Sequence, residues 1–175
     1  MNKLNVSIWL IPEEKQEKQL QKIIDNLAGK YRTFSYIPHV TVYALESDDV
    51  DKVIKISERT ARNTRQLHIV FKMLSYSEVF NKTIFAQYKI NPALQKIYDE
   101  FRMAFPNPPV YEINPHLSLI YKQNMTSGEK LNEITKIEVP QTLILNRLMI
   151  VTRNGSIAKE KDALGWQNVY YARLV

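Results

Sequence analysis

Two short segments constrain this chain more than any other feature: Pro38-His39-Val40-Thr41-Val42 and Pro115-His116-Leu117-Ser118-Leu119. In a β-strand, successive side chains point to opposite faces. Each segment therefore packs two apolar side chains on one face and presents an imidazole and a hydroxyl on the other. Two such strands demand sheets that are buried on one side and open to a polar space on the other. The chain has three histidines. A Ser or Thr two residues after a given histidine arises by chance roughly one time in eight. Proline before it, apolar residues at the first and third positions after it, and the same context twice set these two apart from coincidence.

The flanking sequence alternates strand and helix patterns. Leu4, Val6, Ile8 and Leu10 alternate with Asn5, Ser7 and Trp9, which predicts a strand over Leu4–Ile11. Pro12 is expected to open a helix, where its missing N–H does no harm. Leu20, Ile23, Ile24 and Leu27 form that helix's apolar stripe, and Gly29 its stop. A polar-aromatic loop, Tyr31 to Tyr36, leads to a strand over His39–Leu45. Ser47 is placed to cap a helix that buries Val50, Val53, Ile54 and Ser57. Strands are expected over Gln66–Leu74 and Thr83–Ile90. Asn91-Pro92 then starts a helix with Leu94, Ile97, Tyr98 and Phe101 inward. A proline-rich loop, Pro106 to Pro115, leads to the strand His116–Lys122, and a short helix falls within Thr126–Thr135. Strands over Thr142–Thr152 and Trp166–Leu174 close the chain around the turn dipeptide Asn154-Gly155.

Laid over each other, the two halves each run strand, proline-started helix, loop, Pro-His strand, helix, strands. The expectation is a single α+β domain over 1–175. It would be bilobal, with two pseudo-symmetric lobes, each an antiparallel sheet backed by helices, and an active-site cleft between them.

Composition narrows the chemistry. There is no cysteine, which excludes disulfides, zinc–thiolate sites, iron–sulfur clusters and cysteine nucleophiles. No Asp or Glu accompanies either motif histidine at ligand spacing, so neither a metal nor a cofactor is expected. No stretch approaches the ~18 apolar residues of a membrane span. Met1 to Ile11 is broken by Asn5 and Ser7 and lacks a small-residue cleavage site, so it reads as a strand rather than a secretory signal. A cytoplasmic monomer without a membrane partner is expected. The net charge of +6 favours anionic partners. The Lys and Arg are nevertheless scattered, as on a solvated surface.

The two motifs suit phosphoryl transfer. In-line displacement at phosphorus needs a base to activate water and an acid to protonate the departing oxygen, on opposite sides of the phosphate. Two imidazoles with ordinary pKa values near ~6.5 can divide those tasks. The Thr41 and Ser118 hydroxyls can donate to the non-bridging oxygens, where transition-state charge accumulates.

The paired H-x-[T/S]-x motifs resemble those of the two-histidine (2H) phosphoesterase superfamily, which includes RNA 2′,5′-ligases and cyclic phosphodiesterases. Ser7-Ile8-Trp9-Leu10-Ile11-Pro12, Ile37–Val42, Pro115–Tyr121 and Leu145-Asn146-Arg147-Leu148 resemble the cyclic phosphodiesterase branch more narrowly, and they span nearly the whole chain in that family's order. The resemblance implies a bilobal fold with a water-filled cleft and no metal. It implies hydrolysis of nucleoside 2′,3′-cyclic phosphates or ADP-ribose 1″,2″-cyclic phosphate to a phosphomonoester. Small molecules of that kind are the partners implied, with RNA ends as a further class. Carried over, His39 and His116 are the catalytic pair, and Thr41 and Ser118 bind phosphate. Trp9, opposite the apolar face of its strand, would stack on a base or sugar. Tyr121 also matches the family motif. Strict alternation from His116 puts it on the wrong face, so it reaches the cleft only if the strand twists or bulges.

Two rival readings use the same residues. A 2′,5′-phosphodiester ligase or nuclease acting on RNA would need a long basic groove. A non-catalytic RNA- or nucleotide-binding module would have no need of two opposed imidazoles. His68 reads as a structural strand histidine, Arg147 as an ion-paired strand arginine, and Tyr76 and Phe80 as packing residues.

Overall fold

The run Leu148-Met149-Ile150-Val151 is apolar at every position, the pattern of a strand covered on both faces. It lies in the longest strand of the protein, and all four side chains are buried. The computed structural model describes residues 3–106, 110–155 and 164–175. Along the chain it forms β1 (Leu4–Pro12), α1 (Glu14–Tyr31), β2 (Val40–Ser47), α2 (Val50–Arg62), β3 (Leu67–Tyr76), β4 (Ile84–Tyr88), α3 (Pro92–Ala104), β5 (His116–Ile120), α4 (Ser127–Ile134), β6 (Thr142–Arg153) and β7 (Gln167–Arg173). The fold is α+β, with antiparallel pairing in the order β2-β1-β6-β3-β4-β5 and β7 against β6. Among the described residues no helix is long and apolar enough to cross a membrane.

The strand β6 uses both of its edges. One pairs with β1 from Arg147 to Arg153, with Leu145 joining beyond a register shift at Pro12. The other pairs with β3 over Thr142–Leu145 and with β7 over Arg147–Thr152. In turn β3 serves two neighbours. Leu67–Val70 face β6, and from Phe71 to Tyr76 the strand pairs with β4, with an irregularity between Phe71 and Met73.

The strand order shows how the two sequence halves are arranged. Each half runs strand, helix, motif strand, helix, strand: β1-α1-β2-α2-β3, then β4-α3-β5-α4-β6. Within each half the first strand pairs with the motif strand. The third strand goes to the other half: β3 pairs with β4, and β6 with β1. Helix packing crosses over in the same way, with α1 against β5 and α3 against β2. The pseudo-symmetry read from the sequence is therefore present in the topology, but the halves are interlocked and share one continuous sheet.

One main apolar core lies under this sheet. Leu20, Leu27, Val53, Leu94, Ile97 and Phe101 of the helices meet Val40, Val42, Leu117 and Leu119 of the motif strands. A smaller cluster of Trp9, Ile11, Met149 and Val151, with Trp166 against it, occupies the opposite face of β1 and β6. Consequently β1 is covered on both sides from Val6 to Ile11.

Three local expectations need correction. Pro12 ends β1 rather than starting α1: it sits opposite Leu145 at the register shift, its carbonyl accepts from Arg147, and α1 begins at Glu14. Gly29 does not stop α1, which continues to Tyr31 and turns off through Arg32 in the left-handed region, with φ 51°. Ser47 does not cap α2. The cap is Asp49, whose carboxylate accepts from the Lys52 amide at 2.9 Å, while Ser47 accepts from the Asp49 amide. Gly155 has a φ of +71°, the turn geometry expected at Asn154-Gly155.

Asn91 caps α3 as expected, accepting from the Leu94 amide at 2.8 Å, and its side-chain amide also donates to the His68 carbonyl on β3 at 2.9 Å. Asn91→Ala should lower stability by about 1–2 kcal/mol, from one lost cap and one lost cross-link. For a domain of this size that shifts the thermal midpoint by roughly 2–8 °C. Calorimetric melting is the check; an unchanged midpoint would show that the cap contributes nothing.

Candidate active site

Each motif enters its strand through a proline. Proline holds the residue before it extended, and the histidine follows at the point where the strand begins: His39 just before β2, His116 as the first residue of β5. Both rings are anchored alike. His39 Nδ1 lies 2.7 Å from the Ile37 carbonyl, and His116 Nδ1 lies 2.7 Å from the Asn114 carbonyl. A carbonyl oxygen only accepts, so each Nδ1 carries the proton. In each ring Nε2 is the nitrogen left for a ligand.

The register of the two motif strands contains the same irregularity. Trp9 faces Thr41 and Ile8 faces Tyr43, which leaves Val42 as an extra residue. Phe85 faces Ser118 and Ile84 faces Ile120, which leaves Leu119 as an extra residue. A one-residue bulge advances the alternation by one, so the side chains beyond it change faces. This is visible in what borders a common cavity of about 540 Å³. Before the bulges its lining includes His39 and Thr41, and His116 and Ser118; beyond them it includes Ala44 and Glu46, with Leu45 between them, and Tyr121. Tyr121 lies on the cavity side because of the bulge at Leu119 and because β5 has ended at Ile120.

The residues singled out from sequence thus come together. His39, His116, Thr41, Ser118, Trp9 and Tyr121 all border the one cavity. Trp9 lies flat against the His39 imidazole, with ring centres 3.7 Å apart and planes 12° apart. Its indole N–H donates to Ser7 Oγ at 2.8 Å, and its edge meets Trp166. The Ser118 hydroxyl donates to the Asn81 carbonyl at 2.7 Å. Tyr121 stacks on Tyr36 at 4.0 Å. Arg147 is ion-paired with Glu17 at 2.6 Å, and His68 meets Gln66 on the exposed side of β3. Phe80 packs on Tyr121, and Tyr76 lies under Lys130; neither borders the cavity.

Sequence reading missed two features. Phe85 is the counterpart of Trp9: it faces Ser118 as Trp9 faces Thr41, and its ring stands edge-on to His116 at 5.6 Å. The signal was present, since Ser7-Ile8-Trp9 and Thr83-Ile84-Phe85 repeat a hydroxyl, an isoleucine and an aromatic. Tyr36 is the second. It lies beneath Tyr121, with its buried hydroxyl lacking a hydrogen-bond partner among the described residues. Its position three residues before His39, in an aromatic-rich loop, was the available cue.

Burial sets the electrostatics. It pushes the His39 imidazole down to about 4, against the bond to Ile37, and the charge of His116 pushes the same way. His116 is also lowered, by burial first, against its bond to Asn114, with Lys82 contributing. Desolvation penalises the charged form of any group, so both rings are neutral at pH 7 without a ligand. Burial likewise raises the Tyr36 and Tyr121 hydroxyls, the latter held back by Ser118. Among the described residues no three His, Cys, Asp or Glu side chains stand together as a metal-ligand group.

The profile of the cyclic phosphodiesterase-like protein family matches residues 4–168. A cyclic phosphodiesterase of Arabidopsis thaliana is 22% identical over 174 residues, covering 96% of this chain and 94% of that protein. The fold is shared with the TT0787 protein of Thermus thermophilus, at a TM-score of 0.62 and 12% identity over 97% of both chains. It is also shared with Escherichia coli LigT complexed with 3′-AMP, at a TM-score of 0.57 and 10% identity over 98% of both. With the match running through both histidine motifs and almost the whole length, the chain belongs to the cyclic phosphodiesterase-like family of 2H phosphoesterases and is an enzyme with phosphodiesterase activity.

Proposed function

We propose that the protein hydrolyses small cyclic phosphodiesters, nucleoside 2′,3′-cyclic phosphates or ADP-ribose 1″,2″-cyclic phosphate, by acid–base catalysis between His39 and His116. The observation that carries this reading is the matched pair of imidazoles on one cavity, each with Nδ1 committed to a backbone carbonyl. One Nε2 takes a proton from water as its oxygen attacks phosphorus. The other, protonated, gives its proton to the ribose oxygen as the P–O bond to it breaks. The product is a phosphomonoester, and the net change is the addition of one water. Thr41 and Ser118 donate to the non-bridging oxygens. Ser118 does so only by turning its hydroxyl away from the Asn81 carbonyl.

Two further facts support a nucleotide-like ligand. A cavity of about 540 Å³ falls in the range that holds small molecules, roughly 300–1,000 Å³. LigT has been crystallised with 3′-AMP, with NADP+ and with ATP. The depressed imidazoles also fit an anionic ligand, because a phosphodiester brings the negative charge that makes a proton on one ring affordable.

Steady-state kinetics on 2′,3′-cyclic nucleotides test the roles. His39→Ala and His116→Ala should each lower kcat roughly 10²–10⁴-fold, and the double variant should lose little more, since the rings act as one device. Thr41→Ala should cost roughly tenfold, and Ser118→Ala less, because its hydrogen bond to Asn81 must be given up on binding. Trp9→Leu should lower kcat more than it raises KM, as expected of a residue that supports His39; a pure KM effect would mark a base-stacking role instead. A folded His39→Ala protein with normal kcat would end the two-histidine reading.

The buried imidazoles make a pH prediction with a definite sign. In the ligand-free protein the His39 ring protons should titrate at about 4, not ~6.5, and inorganic phosphate should move the titration upward. The unfolded chain binds this proton below ~6.5 and the folded one only near 4. Stability is therefore full above ~6.5 and falls as pH drops through that window. Proton NMR, assigned with the His39→Ala variant, gives the answer; an unshifted titration near 6.5 would contradict the burial argument.

Turnover should survive dialysis against EDTA, since the two imidazoles supply both proton transfers and the hydroxyls supply charge stabilisation. Loss of activity that a divalent cation restores would overturn the mechanism.

A further inference from the structure

We propose that Lys82 is an anion-binding residue of this site, holding the phosphoryl group on the His116 side of the cavity. The proposal rests on the phosphodiesterase reading above and adds a residue that neither the motifs nor their symmetry assigns.

Lys82 closes a single 3-10 turn, Phe80–Lys82, between β3 and β4. The turn is tightly held. The Lys82 amide donates to the Val79 carbonyl at 2.9 Å, and the Ser77 hydroxyl donates to the Lys82 carbonyl at 2.7 Å. Thr83 Oγ1 lies 2.8 Å from the Phe80 carbonyl and 2.9 Å from that of Lys122. The residue before Lys82 is Asn81, which borders the cavity and whose carbonyl receives the Ser118 hydroxyl. The ammonium group rests over the Phe85 ring, 4.2 Å from its centre, and that ring stands 5.6 Å from His116. Lys82 thus stands one ring behind His116: its ammonium lies over Phe85, and Phe85 meets edge-on the imidazole that borders the cavity.

This cation is half-buried, and among the described residues it has no carboxylate partner. Burial alone lowers its pKa, and no charged side chain acts on it in return. One aromatic face replaces only part of the hydration an ammonium loses on burial. An uncompensated cation one ring away from a cavity-lining histidine, and next in sequence to cavity-lining Asn81, is best accounted for by an anion that enters the cavity. The four-carbon stem lets the ammonium leave Phe85 and meet such an anion as a point charge.

The pseudo-symmetry sharpens the assignment. Ser7-Ile8-Trp9 matches Thr83-Ile84-Phe85, so Val6, buried and apolar, stands where Lys82 stands. The two histidines are equivalent in anchoring and in register, but the position matching Lys82 beside His39 is apolar; the cation that borders the cavity, Arg153, lies instead over Trp166. Among the described residues, the charge of Lys82 acts on His116, and that of His116 acts on His39.

The test compares wild type with Lys82→Met, Lys82→Arg and, as an equal change of net charge, Lys72→Met on the exposed side of β3. Methionine keeps the stem and its contact with the Phe85 ring, so folding is preserved. Inorganic phosphate binding is measured by calorimetry, and kcat and KM for a 2′,3′-cyclic nucleotide across pH. Lys82→Met should weaken phosphate binding roughly tenfold or more and raise KM. It should also move the pH limb that belongs to His116 upward, because a neighbouring positive charge has been removed. Lys82→Arg should retain most of the phosphate affinity, and Lys72→Met should match wild type. If Lys82→Met binds phosphate as tightly as wild type, with an unmoved pH profile, while His116→Ala is inactive, Lys82 only decorates the Phe85 ring and the proposal fails with the active site intact. If Lys72→Met weakens binding as much as Lys82→Met, the effect is bulk charge and the proposal also fails. Wild-type protein that neither binds phosphate nor opens the cyclic nucleotide would overturn the phosphodiesterase reading and this inference together.

Discussion

A strand that is covered on both faces must satisfy its hydrogen bonds at both edges, because no water reaches it. The strand β6 meets that constraint with β1 on one edge and with β3 and β7 in succession on the other. Everything that builds the site hangs from this arrangement. β1 carries Trp9 and holds β2 with His39 and Thr41; β3 holds β4, which carries Phe85 and in turn holds β5 with His116 and Ser118. The two motif strands end up at opposite ends of one strand order, equally far from the edges of the β6–β3 junction. Their polar faces then border one cavity, with His116 opening β5 and His39 one residue before β2.

The site combines dryness with charge in a particular way. Two imidazoles are desolvated enough to stay neutral, and one sits against an indole face while the other sits edge-on to a phenyl ring. The wall around them includes hydroxyls and aromatic rings together with the charged Glu46 and Arg153. A protonated histidine here is costly until an anion is present, so the protonation state that chemistry requires is coupled to substrate arrival. The hydrogen bonds to Ile37 and Asn114 keep that coupling on one ring nitrogen by fixing the tautomer.

Much of this could be read from the residues. The alternation of His39 with Thr41 and of His116 with Ser118 predicts which face each presents, because strand geometry is local. The helices that bury Leu20, Ile24 and Leu27, or Leu94, Ile97 and Phe101, follow from period alone. What could not be read is long-range. The return of β6 to β1 joins partners about 133 to 148 residues apart in sequence, and no local pattern encodes it, whereas β3 meets β4, its neighbour along the chain. The bulges at Val42 and Leu119 are likewise invisible, since a bulged valine or leucine looks like any other apolar strand residue. Without the Leu119 bulge, Tyr121 is assigned to the wrong face. Trp9 was legible as a residue of the site's face; that its own face is covered by His39 required coordinates.

The reciprocal exchange of third strands has one further consequence. In a domain-swapped dimer, two chains trade an equivalent element and neither is complete alone. Here the same trade occurs within one polypeptide, and α1 and α3 trade packing partners as well. Removing either half would strip the other of an interior strand and of the helix that covers its motif strand. Neither half therefore carries a complete sheet by itself, and the cavity is walled from both, by His39 and Thr41 of one and His116 and Ser118 of the other.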